Sequence, residues 1–292
     1  MMTEAEALQR VHEINLRFLK DFDAIAKKHG IPYYLAAGTL LGAIRHEGFI
    51  PWDNDVDVSI MREDFERLAP FLKAELDPEK YELVLPDDFG GRYRDMVPYI
   101  YYKKAKIRID PALDAYYDGK LPRITLDFFL FDRVPDTFRG KLFIYRLEFL
   151  YALCNAHRFS IDYSDYPGPV LKTAAFICYH LGKLFPAGMM RKHIWKTCKK
   201  FDHDPKVTTI SITNDIMSSF SCRFPLSWYE SGRTARFEDG FYPVPKEAEK
   251  ALTLHFGDFM TLPPEKDRVP HLSFLGTNGD DKISFGDFIF ED

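Results

Sequence analysis

Cysteine is scarce in this 292-residue chain, and its apolar runs are short. The four cysteines lie far apart and form no C-x-x-C pair, so neither a disulfide framework nor a zinc site is favoured. No stretch approaches the roughly 18 apolar residues that a membrane span needs. The acidic beginning lacks the apolar segment of a secretion signal. We therefore expect a cytoplasmic protein whose cysteines are reduced and buried.

The charge balance limits the class of ligand. The formal net charge of −5 argues against broad nucleic-acid binding, but not against a small nucleotide whose phosphates are met by metal ions. Residues 166–201 differ from the rest because they contain seven lysines and arginines and no aspartate or glutamate. Apolar residues alternate with these charges, which suggests peripheral contact with the inner leaflet of the plasma membrane. A solvated helical face is the alternative.

The order of the predicted elements indicates an α/β (α+β) core in residues 1–135. Residues 4–29 have the apolar spacing of an amphipathic helix. Two shorter helices are predicted at 40–46 and 62–75, and strands at 33–36, 55–60, 81–85, 97–102 and 123–131. Residues 136–292 read as a second, mainly helical portion, with helices at 138–159 and 168–201. We expect this portion to pack on the catalytic core and to contribute to acceptor or donor binding.

The segment PWDNDVDV at residues 51–58 carries the clearest chemical signal. Side chains alternate along a strand, so Asp55 and Asp57 face the same way, and Asp53 can join them at the strand entry. Like charges on one face repel each other unless a cation neutralises them, and oxygen ligands suit Mg²⁺ or Mn²⁺. Trp52 gives the strand an apolar, rigid start. The alternative is a solvated polar face on an edge strand.

Two further features fit a site around these acids. Gly38 and Thr39 lie where a strand meets a helix, and a helix N-terminus with a glycine is suited to a phosphate. A plain helix cap is the alternative. Asp127 interrupts an otherwise apolar strand, where an unpaired charge is costly, so we predict it as the third carboxylate. Pairing with Arg123 or Arg133 at the sheet rim is the competing interpretation.

The segment at residues 33–58, YYLAAGTLLGAIRHEGFIPWDNDVDV, resembles the signature of the LicD family in the nucleotidyltransferase superfamily, to which fukutin-type enzymes are related. Further similarity lies at residues 126–132, 241–245 and 256–265. The resemblance implies a nucleotidyltransferase-like mixed sheet with flanking helices. It also implies transfer of phosphocholine, or a similar phospho-substituent, from a CDP-linked donor to a hydroxyl of a cell-surface glycan or teichoic acid precursor.

The resemblance also implies roles for the site residues. The glycine–threonine pair would contact the donor phosphates, and the carboxylates of Asp55, Asp57 and Asp127 would bind Mg²⁺. Two ions about 4 Å apart would stabilise the attacking and leaving oxygens, with Asp127 as the candidate general base. Asn54 departs from the family pattern, which often has an aspartate there. A nucleotidyltransferase, a metal-dependent glycosyltransferase and a non-catalytic glycan- or nucleotide-binding scaffold are the competing hypotheses.

Several residues near this signature, or later in the chain, are weaker site candidates. Arg45 and His46 either reach the donor or complement the helix C-terminus. Arg268 and His271 either close over the site or belong to an exposed loop. A trimethylammonium group calls for an aromatic cage, although aromatic clusters also form cores. The available aromatic residues are Tyr99, Tyr101, Tyr102, Tyr116, Tyr117, Trp228 and Tyr229.

Overall fold

A mixed β-sheet lies at the centre of the structure, a computed structural model that describes residues 3–107, 109–121, 124–215, 222–268 and 288–291. The predicted site residue His271 lies outside the described residues. The helices are α1 (Glu4–Lys28), α2 (Ala37–Arg45), α3 (Arg62–Glu75), α4 (Pro111–Tyr116), α5 (Phe138–Cys154), α6 (Gly168–Gly182), α7 (Ala187–Cys198) and α8 (Ala248–Phe256). The strands of the first half are β1 (Tyr34–Leu35), β2 (Val56–Met61), β3 (Tyr81–Val84), β4 (Tyr99–Tyr102), β5 (Ala105–Ile107) and β6 (Thr125–Arg133). The later strands are β7 (Thr209–Ile212), β8 (Arg223–Pro225), β9 (Gly232–Phe237), β10 (Gly240–Pro245) and β11 (Phe288–Phe290).

Helices α1 and α3 cover one face of this sheet. Helix α1 begins with a capping box, in which Thr3 and Glu6 satisfy each other's backbone amides. The ring of Phe22 in α1 lies 5.4 Å from the ring of Phe128 in β6. Phe65 of α3 contacts the same ring at 5.0 Å. The apolar periodicity of both helices thus becomes a core built on the central strand.

The central strands β2 and β6 are parallel, and the strand order is β1-β2-β6-β4-β3. Val58 lies opposite Phe128, and Asp57 lies opposite Asp127. Because side chains alternate along a strand, the apolar pair faces the helices and the acidic pair faces the other side. The predicted mixed sheet with flanking helices is confirmed.

Strands from the second half of the chain extend this sheet. Strand β7 pairs with the end of β6, and β8 pairs with β7. The hairpin β9–β10 contacts β1 and α2, and β11 pairs with β5. Residues beyond 135 therefore contribute strands to the core as well as helices packed against it. Strands β7, β8 and β11, which have three or four residues each, carry little periodicity by which the sequence could predict them.

Helix α5 packs against both α6 and α7. The single helical stretch expected at 168–201 is two helices, because Pro186 interrupts it and cannot continue a helix interior. Within the ranges that the structure describes, no helix is long and apolar enough to cross a membrane.

Candidate active site

Asp57 and Asp127 lie directly opposite each other on the parallel strands β2 and β6. Tyr99 of β4 lies on the other side of Asp127. Neighbouring strands are about 4.8 Å apart, so the three side chains form a row on the sheet face opposite α1 and α3. Asp55, one residue before β2, interacts electrostatically with both aspartates and shares a hydrogen bond with Asp53. The structure therefore brings the predicted carboxylates together.

Burial, and then the charges of the neighbouring carboxylates, raise the pKa of these acids. The pKa of Asp55 rises to about 8, and that of Asp57 rises well above its usual value. Burial and the Asp55 charge raise the pKa of Asp127 to about 7. Oδ1 of Asp127 is buried and has no hydrogen-bond partner among the described residues. Burial and repulsion between the carboxylates thus outweigh the nearby positive charge of Arg94.

The N-terminus of α2 holds the acidic segment in place. The amide of Gly38 donates a hydrogen bond to the Asp57 carboxylate, and the Thr39 hydroxyl accepts one from the Asp57 amide at 2.9 Å. A Cβ atom on residue 38 would lie 2.4 Å from Oδ2 of Asp53, so the close contact between the start of α2 and the Asp53 carboxylate requires glycine. Ala37, one residue earlier, has a φ of +42°, a strained conformation of the kind that clusters at functional sites. Gly38 and Thr39 therefore position carboxylates, while their contact with a donor phosphate stays a prediction.

Helix α1 fixes the same segment from its other side. Nδ2 of Asn15 donates a hydrogen bond to the Asn54 carbonyl at 2.9 Å. Nε2 of His12 donates one to the Asp53 carbonyl at 2.7 Å. Sequence reasoning missed this positioning role, although Asn15 is the polar residue that interrupts the apolar stripe of α1. The buried amide explains that interruption, because it fixes the backbone between two of the acids.

Arg94 is a second residue that sequence reasoning missed. Its guanidinium lies over the ring of Tyr99 at 4.6 Å and forms an ion pair with Asp95 at 2.9 Å. Its charge lowers the pKa of Asp127, against the larger effect of burial. Arg94 is itself buried, so the row of Asp57, Asp127 and Tyr99 ends at a positive group. No local pattern around Arg94 indicates this position, because it depends on the pairing of β4 with β6.

Residues 30–120 match the family model of the LicD/FKTN/FKRP nucleotidyltransferase domain. The chain carries a LicD-family domain. The family resemblance seen in the signature at residues 33–58 is thereby confirmed. The matched range contains Gly38, Asp55 and Asp57 and ends before Asp127, which the pairing of β6 with β2 places opposite Asp57.

Three relatives show how far the similarity extends. The lipopolysaccharide cholinephosphotransferase LicD of Haemophilus influenzae is 27% identical over 261 residues, which cover 88% of this chain and 92% of the relative. The human ribitol 5-phosphate transferase FKRP is 57% identical over 35 residues, or 12% of this chain and 7% of FKRP. An uncharacterised protein of Rickettsia prowazekii is 48% identical over 56 residues, or 19% of this chain and 21% of that protein. The first similarity covers most of the length of both chains, and the other two are short segments of higher identity.

Two of the weaker site candidates, Arg45 and His46, lie at the C-terminal end of α2. Arg45 is roughly 10 Å along the helix from Gly38, given a rise of about 1.5 Å per residue. Its guanidinium donates to the Phe259 carbonyl at 2.6 Å and to Nε2 of His46 at 2.9 Å. Arg268 lies 6.0 Å from the centre of the Trp52 ring. These contacts join the candidates to C-terminal residues, and among the described residues none of them is a hydrogen bond to the carboxylates.

Most of the aromatic candidates belong to the core. Tyr99, Tyr101 and Tyr117 are buried in one cluster, and the Tyr117 hydroxyl donates to the Tyr93 carbonyl at 3.0 Å. Tyr229 instead lines an apolar recess with Phe129, on the same sheet face as the acids. The recess also contacts Ala36 and Ala37 at the start of α2, next to Gly38 and the acidic cluster.

The carboxylates suit a divalent cation in their chemistry. The donors are oxygens, as Mg²⁺ prefers, and the buried Oδ1 of Asp127 is without a partner in the described part of the chain. No group of three His, Cys, Asp or Glu side chains within those residues is already arranged to hold a metal ion. The donor set therefore fits a hard cation, and its binding belongs to the proposal below.

Proposed function

We propose that this protein transfers phosphocholine, or a similar phospho-substituent, from a CDP-linked donor to a hydroxyl of a cell-surface glycan or teichoic acid precursor. The observation that carries the proposal is the register of Asp57 with Asp127, which places two carboxylates side by side and leaves the buried Oδ1 of Asp127 without a hydrogen-bond partner among the described residues. The names of two relatives, a lipopolysaccharide cholinephosphotransferase and a ribitol 5-phosphate transferase, support transfer of a phosphoryl-linked group. A cytoplasmic location stays a prediction.

Asp55, Asp57 and Asp127 would hold Mg²⁺ or Mn²⁺ in this reaction. A divalent cation would supply charge neutralisation for the donor diphosphate and its leaving group. The raised pKa values of these carboxylates support this assignment, because a cation offsets both the desolvation and the repulsion that raise them. Whether one or two ions take part stays a prediction.

The chain's own groups position the acids and move the proton. Gly38 and Thr39 hold Asp57, and Asn15 holds the backbone that leads to it. Asp127 would accept the proton of the acceptor hydroxyl as the new oxygen–phosphorus bond forms and the bond to CMP breaks.

The test is donor-dependent release of CMP. Purified protein would be incubated with CDP-choline, CDP-ribitol or CDP-glycerol and a glycan acceptor, with Mg²⁺ or with a chelator. We expect CMP with one donor, dependent on both metal and acceptor. Pyrophosphate release from CTP, without CMP from any CDP donor, would instead establish the competing nucleotidyltransferase, and binding without turnover would establish the scaffold.

A further inference from the structure

Helix α6 is largely apolar but lies at the surface. Of its fifteen residues, Ala175 and Gly182 are the two that are buried. The close approach of Gly182 to α5 leaves no room for a side chain, since a Cβ atom there would lie 2.0 Å from the Leu153 carbonyl oxygen. The large apolar side chains are exposed, with Phe176 at 52% and Ile177 at 51%. An apolar helix at the surface of a protein marks an interaction site.

Helix α5, which packs against α6, adds an apolar stripe of its own. One line of the helix, through Phe143 and Leu147, is buried in the protein. Another line is exposed and follows a spacing of four, three and four residues, which places its members on one side. The exposed line consists of Phe138, Leu142, Tyr145 and Phe149. We call this line, together with the exposed apolar residues of α6, the α5–α6 surface.

Lysines accompany the α5–α6 surface. Lys172 on α6 and its C-cap residue Lys183 are exposed and form no salt bridge among the described residues, although Nζ of Lys183 lies 4.3 Å from the centre of the Tyr179 ring. Arg191 and Lys199, part of the same basic stretch in the sequence, form salt bridges with Asp87 and Glu66. The structure therefore divides the basic stretch into side chains that form salt bridges within the protein and exposed lysines that can contact a partner.

We propose that the α5–α6 surface docks on an anionic lipid bilayer. Apolar side chains next to exposed lysines suit the boundary between acyl chains and anionic headgroups. Helix α6 is about 22 Å long at 1.5 Å per residue, too short to cross the hydrocarbon layer, so it would lie along the surface. A symmetric dimer through α6 would gather the lysines of two copies in one interface to which α6 contributes no aspartate or glutamate, which disfavours a second copy as the partner.

The docking proposal does not depend on the transfer reaction, and its test measures no turnover. Protein would be floated with vesicles of phosphatidylcholine alone or with phosphatidylglycerol at 3:1, at low and high salt. We expect binding to the anionic vesicles, weakened by salt. The apolar variant Phe176→Ser/Ile177→Ser and the charge variant Lys172→Glu/Lys183→Glu should each lose at least about tenfold in lipid partitioning.

Matched variants on other surfaces serve as controls. Phe241 and Met260 are 66% and 59% exposed, and replacing both by serine should leave flotation unchanged. Replacing Lys73 and Lys246, which are also exposed, by glutamate should have at most a small effect. All changes are at exposed positions, and an unchanged Tm would show that folding is retained. Equal flotation of all variants, absence of flotation at low salt, or a dimer that the α6 variants dissociate would overturn the proposal.

Discussion

Strand β6 carries two aspartates whose electrostatic surroundings differ. Asp132 is fully buried on the face toward α3, where Nε and Nη2 of Arg62 donate to its two oxygens at 2.8 and 2.7 Å. Thr213 also donates a hydrogen bond to it. Asp127, five residues earlier on the other face, lies among like charges and keeps Oδ1 unpartnered within the described residues.

The difference separates a structural acid from a candidate functional one. A buried carboxylate is tolerated when the fold supplies a charged, hydrogen-bonded partner. The fold gives Asp132 a guanidinium partner, although Asp202 lies nearby, whereas it places Asp55 and Asp57 beside Asp127. Such an arrangement costs stability, and it indicates a site adapted to a ligand that brings positive charge.

The largest expected effect is on catalysis. Asp127→Asn preserves size and removes the charge, so it should lower the rate of CMP release by about 10³-fold or more. The fold should not suffer, because a repulsive charge is removed. The Tm at pH 8 should be unchanged or higher. Activity within tenfold of the parent protein would exclude Asp127 from the mechanism.

The matched change at the structural acid should affect stability instead. Asp132→Asn leaves the guanidinium of Arg62 buried without a counter-charge, and it should cost about 3 kcal/mol of unfolding free energy. Urea denaturation measures this loss, and activity per folded molecule should stay near the parent value. The double variant Arg62→Met/Asp132→Leu should recover much of the lost stability, since it removes both charges. A loss of activity without a loss of stability would contradict the division between the two acids.

The pH dependence of stability should also come from the active-site acids. Their pKa values are raised in the folded state, to about 8 for Asp55 and about 7 for Asp127, so the folded protein holds protons that the unfolded chain has released. Stability should therefore fall as pH rises from about 5 to about 8. Without divalent cations we expect the Tm to fall by roughly 5 °C over this range.

Magnesium should oppose that fall, more strongly at pH 8 than at pH 5, because it binds the ionised carboxylates. Thermal scans with and without 10 mM Mg²⁺ measure both effects. Asp57→Asn should flatten the pH profile and weaken the response to Mg²⁺. A Tm that rises with pH in the absence of cations would show that these acids are ionised in the folded protein.

The parts of the fold that the sequence predicts well are those with local signals. Apolar periodicity places α1 and α3 within a residue of their observed bounds, and alternation places β2 and β6 within two. The acidic strand and Asp127 are recognisable because a charge in an apolar pattern needs an explanation. Each of these signals lies within a window of a few residues.

The remaining features depend on pairing between distant parts of the chain. Arg94 lies near Asp127 because β4 pairs with β6, and β7 joins the sheet at the far end of the same strand. Neither pairing leaves a periodic pattern in the sequence. Asp132 is as easy to recognise in the sequence as Asp127, but its partner Arg62 is 70 residues away. Local chemistry therefore identifies buried acids, and the fold decides which of them are neutralised.

The smallest expected effect is at Asn15, which acts on the site through the backbone. Asn15→Ala removes the hydrogen bond to the Asn54 carbonyl, and a bond of this kind contributes about 1 kcal/mol to stability. If the bond positions the acids, kcat should fall by about tenfold while the KM for the donor changes little. Arg10→Ala is the control, because its ion pair with Glu13 is exposed on the same helix and should be worth little. A lower Tm with an unchanged kcat would mean that Asn15 stabilises the fold without positioning the carboxylates.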